Sequence, residues 1–521
     1  MYCKKILLAA GLIFPVIFSN AQPGRENTFQ RTTATMRDSS SANVKVVNKS
    51  QKSVTHGSVT ITGKQISYEA DAGILVLKNS QDVPTIGMSY VAYFKEGEKD
   101  VAKRPITFIY NGGPGSATLW LHMGCWGPQK VNLKDMERSS APYSTVNNDY
   151  SLLDASDLVF IDAPGTGFGD IITKEKGGAG EPKDFFGIDE DGQAFANFIA
   201  QFITDFNRWE SPKYLFGESY GTFRSAVVSN ILQSQKNISL NGVILLSQLL
   251  TYSNMTETLS GNPGTDLPYE LILPSYAATA YYHKKLPVQP KGLEPFLKEV
   301  EQFAMTDYAL ALNKGADLDD ATRNSIAEKL HNYTGLSVEY IKKANLRVTG
   351  PQFSQTLLGD NNQITGRLDS RFAGDAIDPL SETAQYDPMD SYISAAFTST
   401  LNSYVRNDLK FGNEMQYKPS GNVQPWNFRR RGFIGFPNVM NDLARAMIYN
   451  PSMKVLLTGG YYDLGTPYFE GKFEMKHLPM PASLQKNIQY KYFESGHMVY
   501  LHPEALKSLH DAVAKFINDT H

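Results

Sequence analysis

Residues 214–221 read Tyr-Leu-Phe-Gly-Glu-Ser-Tyr-Gly and run directly into the helical stretch 222–233. Three apolar residues, a Gly-bounded turn and a helix predict a strand–turn–helix with Ser219 at its apex. Gly217 and Gly221 remove side chains where strand and helix close on each other, which leaves the Ser219 hydroxyl exposed at the helix N-terminus. The pentapeptide is weak on its own. With 41 glycines in 521 residues, chance supplies about 0.2 G-x-S-x-G matches. The strand–turn–helix context carries the inference against the plain alternative of a Gly-containing turn.

Around this element lie further short apolar runs, at 106–110 (ITFIY), 158–161 (LVFI), 242–246 (GVILL), 455–458 (VLLT) and 488–493 (IQYKYF). Helical patterns such as 193–206 and 439–449 separate many of them. Continuous apolar strands alternating with helices predict an α/β chain with a mostly parallel sheet covered on both faces. Segments 58–61, 64–70, 73–78 and 86–94 alternate or cluster β-formers between turns and predict an antiparallel start to the sheet. Between about 250 and 435 the alternation fails. Helical stretches at 275–285, 294–312 and 321–330 are mixed there with Pro- and Gly-rich loops, the pattern of a largely helical lid inserted between two strands.

The N-terminus reads as an address. Lys4 and Lys5 precede an apolar run from residue 6 to 18, and Ser19-Asn20-Ala21 makes a small-x-small cleavage pattern. The run is shorter than the roughly 20 residues of a membrane span and contains Pro15, so no stable membrane insertion is expected after cleavage. Residues 22–53 are mainly polar and predict a flexible tail. The expected organisation is therefore signal peptide 1–21, tail 22–53, core 54–250, lid 251–434 and core 435–521. Cleavage would leave Cys125 alone, so a large hydrophobic core rather than disulfides must hold the exported chain, in a periplasm or extracellular space. A composition of 41% hydrophobic and 20% charged residues is that of a globular protein. A net charge of −3 argues against nucleic acid as the principal partner.

A serine hydroxyl needs a base and an orienting carboxylate. In the order Ser, Asp, His, these are Asp463, just beyond the run 455–458, and His497, just beyond 488–493. Strand C-terminal ends converge on one site. His477 and His502 remain as competing bases, and Asp463 has the alternative of capping a turn. Donors for an oxyanion are expected from Asn111-Gly112-Gly113-Pro114-Gly115, which follows the run 106–110, with the Gly113 and Tyr220 amides as the two candidates. Gly165-Thr166-Gly167-Phe168-Gly169 mimics a dinucleotide fingerprint, but Asp170 stands where Gly is required and no helix follows. No cofactor is expected, and no metal-ligand spacing occurs.

Taken in order, NGGPGSA (111–117), IDAPGTGF (161–168), FGESYG (216–221), the Asp463 segment and SGHMVY (495–500) resemble the serine carboxypeptidases. The resemblance covers about 80–250 and 435–521. It implies an α/β-hydrolase fold, a Ser219-Asp463-His497 triad and release of C-terminal residues from peptides through an acyl-enzyme. It also implies that Asn111, with Gly112, and Glu218 bind the terminal carboxylate of the substrate. A carboxyl group donates to a carboxylate only while it keeps its proton, so an acidic preference follows.

Two departures stand out. A second Glu carried by many relatives falls near Cys125 and is missing, and the Cys common after N-G-G-P-G is Ser116. An esterase, acyltransferase or amidase on the same scaffold is the alternative, since fold and triad do not fix the substrate. A non-catalytic binding protein is the more distant one.

Overall fold

The computed structural model describes residues 48–521 apart from 99, 139, 258–262 and 433. The expected signal peptide and residues 22–47 of the expected tail lie outside the described residues. The main sheet carries nine strands in one path: β1 (Gln51–Ile61), β2 (Lys64–Lys78), β3 (Pro84–Lys95), β4 (Ile106–Tyr110), β5 (Asp157–Ile161), β6 (Lys213–Glu218), β7 (Gly242–Leu246), β8 (Lys454–Gly460) and β9 (Ile488–Phe493). Their spatial order is β1-β2-β3-β5-β4-β6-β7-β8-β9. Pairing is antiparallel from β1 to β5 and parallel from β5 to β9. This is the α/β-hydrolase arrangement.

Two details of the antiparallel start differ from the expectation. β1 begins at Gln51, inside the expected tail, because Gln51–Ile61 pairs along its whole length with residues 64–74. The separate runs 64–70 and 73–78 are one 15-residue strand. The polar break between them, Asp71, is buried and bonded to Lys52 of β1 at 2.5 Å.

Period-2 alternation divides the parallel strands between two cores. Leu215, Val243, Leu245, Val455 and Leu457 face α1 (Ile188–Asp205), α2 (Tyr220–Gln235) and, further along the chain, Met440–Tyr449. Phe216, Ile244, Leu246 and Leu456 face the C-terminal helix Pro503–Thr520. Both layers are needed because strands buried on two faces carry no polar side to show to water.

The inserted segment has a third core. Helices α3 (Leu267–Tyr282), α4 (Leu293–Phe303) and α5 (Asp320–Thr334) pack around Tyr276, Val300, Leu330 and Phe353, and this cluster takes in Tyr462 and Tyr468 from the loop and helix after β8. The packing changes well before residue 434. Helix α6 (Pro388–Asn407) joins the main core through Phe397 against Trp120 and through Tyr404, whose hydroxyl accepts from Tyr93 at 3.1 Å. Residues 417–427 then run along the core. Tyr417 donates to Asp162 (3.1 Å), the Gly167 amide to Lys418 (2.8 Å) and the Ile188 amide to Asn427 (3.1 Å). Among the described residues no helix is long and apolar enough to cross a membrane.

Candidate active site

Ser219 follows β6 directly and caps α2 with φ 61° and ψ −131°. A non-Gly residue in that region is strained, and the strain is held by its neighbours. The Ser219 amide donates to Leu246 (3.0 Å), and its carbonyl accepts from the Thr222 amide (2.8 Å). The flanking glycines are required by space. A Cβ on Gly217 would stand 2.2 Å from the Gly221 carbonyl oxygen, and one on Gly221 would stand 2.8 Å from that of Tyr110.

The loops after β8 and β9 are laced together. The Tyr462 amide donates to Ser495 (3.0 Å), and Ser247 at the end of β7 donates its hydroxyl to the His497 carbonyl (2.6 Å). His497 Nδ1 thereby lies 2.7 Å from Asp463 Oδ2. Asp463 is fully buried, and its Oδ1 accepts from the amides of Gly465 (2.8 Å) and Thr466 (3.0 Å). Burial disfavours the imidazolium, yet the charge and hydrogen bond of Asp463, aided by Glu218, outweigh it and raise His497 above the usual histidine range. The two competing histidines are elsewhere. His477 stacks on Phe473, and His502 lies 3.6 Å from Asp135.

Gly112 presses the loop 111–115 onto the elbow: a Cβ there would stand 2.4 Å from the Tyr220 nitrogen. The Tyr220 amide, at the first position of α2, has no acceptor inside its helix. Gly113 takes φ 107°, which a side chain would strain. Asn111 is buried, accepts from the Leu121 amide through Oδ1 (3.1 Å), and has its carbonyl held by Arg224 of α2 (2.6 Å). Arg224 is itself buried and paired with Asp191 at 2.7 Å.

Glu218 is 3% exposed, one residue from Ser219. Burial pushes its carboxyl up to about 7. The nearby His497, Tyr500 and Asn111 pull it down, and Asp463 pushes it up. Cys125 is a buried thiol held protonated by burial and by Glu218. The structure thus brings Ser219, Asp463, His497, Asn111, Gly112, Gly113, Glu218 and Tyr220 to the C-terminal ends of β4, β6, β8 and β9.

Sequence reasoning missed four contributors. Thr466 donates its hydroxyl to Asp463 Oδ2 at 2.7 Å. The Arg224–Asp191 pair holds the Asn111 loop. Leu368, from the inserted segment, accepts the His497 amide at 2.6 Å. Tyr500 faces Glu218. Only Thr466, three residues beyond Asp463 in a turn, left a signal that spacing could have found.

The fold is shared with the crystal structure of Kex1(delta)p, a prohormone-processing carboxypeptidase from Saccharomyces cerevisiae. The TM-score is 0.54 at 17% identity, covering 87% of this chain and 92% of that one. A stretch of 147 residues is 29% identical to serine carboxypeptidase-like 20 of Arabidopsis thaliana, spanning 28% of each chain's length. The sequence pattern of the serine carboxypeptidases matches residues 87–498, and the chain belongs to that family.

Proposed function

We propose that the protein is an exported serine carboxypeptidase releasing the C-terminal residue of peptides. Ser219 Oγ attacks the last peptide carbonyl while His497 takes its proton, and Asp463 holds the imidazole. The Gly113 and Tyr220 amides receive the oxyanion. The proton then passes to the leaving amine, which departs as the free C-terminal amino acid. Water attacks the acyl-enzyme by the same base and returns Ser219. Asn111, Gly112 and Glu218 hold the substrate's terminal carboxylate, and the part of the inserted segment with its own core, around α3, α4 and α5, forms the lid. Export rests on the signal pattern of residues 1–21.

The observation that carries this reading is the buried Glu218 carboxyl directly before Ser219. An acid that keeps its proton to about pH 7 can donate to a carboxylate one residue from the attacked bond. The experiment is release of the C-terminal residue from N-blocked dipeptides, set beside their amides, from pH 4 to pH 8, with wild type and Ser219→Ala. Release that needs Ser219 and a free carboxylate supports the proposal. Cys125, standing where a second acid was expected, favours the esterase, acyltransferase or amidase reading, for which equal cleavage of amides or hydrolysis of esters alone would speak.

A further inference from the structure

The loop that delivers His497 also delivers Tyr500, three residues on, within Val499–Leu501. Its ring is seated on the backbone of the turn His122–Trp126: a Cβ on Gly124 would stand 2.7 Å from Tyr500 Cε2 and 2.9 Å from Phe397 Cζ. The side chain is 4% exposed, so the hydroxyl is fixed in the interior. It stands close enough for the Glu218 and Cys125 charges to bear on it and for Glu218 and Asn111 to interact with it as hydrogen-bonding groups. Tyr500 and Glu218 interact with each other and with Asn111, yet neither the Tyr500 hydroxyl nor Glu218 Oε2 makes a hydrogen bond of good distance and angle among the described residues. Two buried oxygens side by side next to the nucleophile, without a well-formed bond to each other or to Asn111, leave room in the bonding pattern for a ligand that satisfies both.

We propose that the Tyr500 hydroxyl is a specificity-determining donor to the substrate's terminal carboxylate, acting beside Glu218 and Asn111. The assignment rests on the carboxypeptidase reading above and adds to it a donor that sequence reasoning did not foresee. A carboxylate accepts at two oxygens and up to four lone pairs, so one protonated acid and one amide leave acceptor capacity that a phenol can fill. Cys125, a weak S–H donor, is a poor substitute. Burial keeps the phenol proton in place, with Glu218 and Cys125 adding to the effect. Tyr500 therefore donates across the whole range in which Glu218 titrates.

The test is Tyr500→Phe, which keeps the ring on Gly124 and removes one oxygen. The readout is the ratio of kcat/KM for an N-blocked dipeptide to that for its C-terminal amide or ester, taken at pH 5 within one preparation, so that any misfolded fraction cancels. The ratio is expected to fall at least tenfold, mainly through KM of the acid. Equal losses on acid and amide, or no loss on either, would overturn the assignment of Tyr500 alone. A wild-type enzyme without preference for the acid would instead overturn the carboxypeptidase reading, and Tyr500's role with it.

Discussion

The Thr466 hydroxyl donates at 2.7 Å to the same Asp463 oxygen that His497 Nδ1 approaches at 2.7 Å, and it lies 3.1 Å from Nδ1 itself. Thr466 and His497 therefore share one lone-pair face of a fully buried carboxylate. In Thr466→Val the oxygen serves the imidazole alone, so the charged imidazolium gains and His497 rises further. The free base is then available only at higher pH. A hydrogen bond to a charged group is worth about 1.5–3 kcal/mol, and one pH unit corresponds to about 1.36 kcal/mol. The acid limb of kcat/KM, followed with an ester substrate so that carboxylate binding by Glu218 plays no part, is expected to move upward by about one unit. A limb that stays put or moves down would refute the sharing.

Glu218 should set the upper pH limit for carboxylate-bearing substrates. Its carboxyl loses its proton near 7, and above that it repels the substrate's own charge instead of donating to it. The groups that bear on it are His497, Asp463, Asn111, Tyr500 and Cys125. For N-blocked dipeptides kcat/KM is expected to fall as pH rises through about 7, chiefly in KM. Glu218→Gln, which donates at every pH, should flatten that descent. The descent would be unchanged in the variant if another group were responsible.

The same residue makes a stability prediction of definite sign. Its carboxyl is raised in the folded state, from 4.5 to about 7, so the native protein holds the proton more tightly than the unfolded chain. Its contribution is complete below about pH 4.5 and is lost as pH rises toward 7. Glu218→Gln removes that loss. The variant should match wild type in denaturant unfolding at pH 4.5 and exceed it at pH 8 by a few kcal/mol, since each pH unit between the folded and unfolded titrations corresponds to about 1.36 kcal/mol. A difference that does not grow with pH would show that the carboxyl is not buried as described.

The features that local chemistry imposes were readable in the chain. Gly217, Ser219 and Gly221 announce the elbow because strand and helix cannot meet there with side chains present. Asp463 and His497 announce themselves by following apolar runs. What escaped was set by contacts far apart in sequence. Tyr500 meets Gly124 across 376 positions, and the helix Pro388–Asn407 reads like the rest of the insertion although Phe397 and Tyr404 join the main core. The Asp71 break inside β2 looked like a turn because the lysine that pairs with it lies on another strand.

Gly112 gives the sharpest test of how the oxyanion donors are assembled. Its backbone needs no special φ, so an Ala there is not strained by conformation. The obstacle is the elbow. The new Cβ would lie 2.4 Å from the Tyr220 nitrogen, 2.7 Å from the Gly221 nitrogen and 2.8 Å from the Glu218 carbonyl oxygen, all backbone atoms that cannot rotate away. Relief requires the loop 111–115 to lift off the N-terminus of α2, which parts the Gly113 amide from the Tyr220 amide. Losing one preorganised donor costs about 10²–10³ in kcat, and overpacking of this kind costs about 1–3 kcal/mol of stability. Gly112→Ala should therefore lose kcat by at least a hundredfold while remaining folded at 25 °C, with Ser219 still present and His497 still beside Asp463. Retention of kcat within a few fold would mean that the loop yields without moving its amides, and that the donors lie elsewhere.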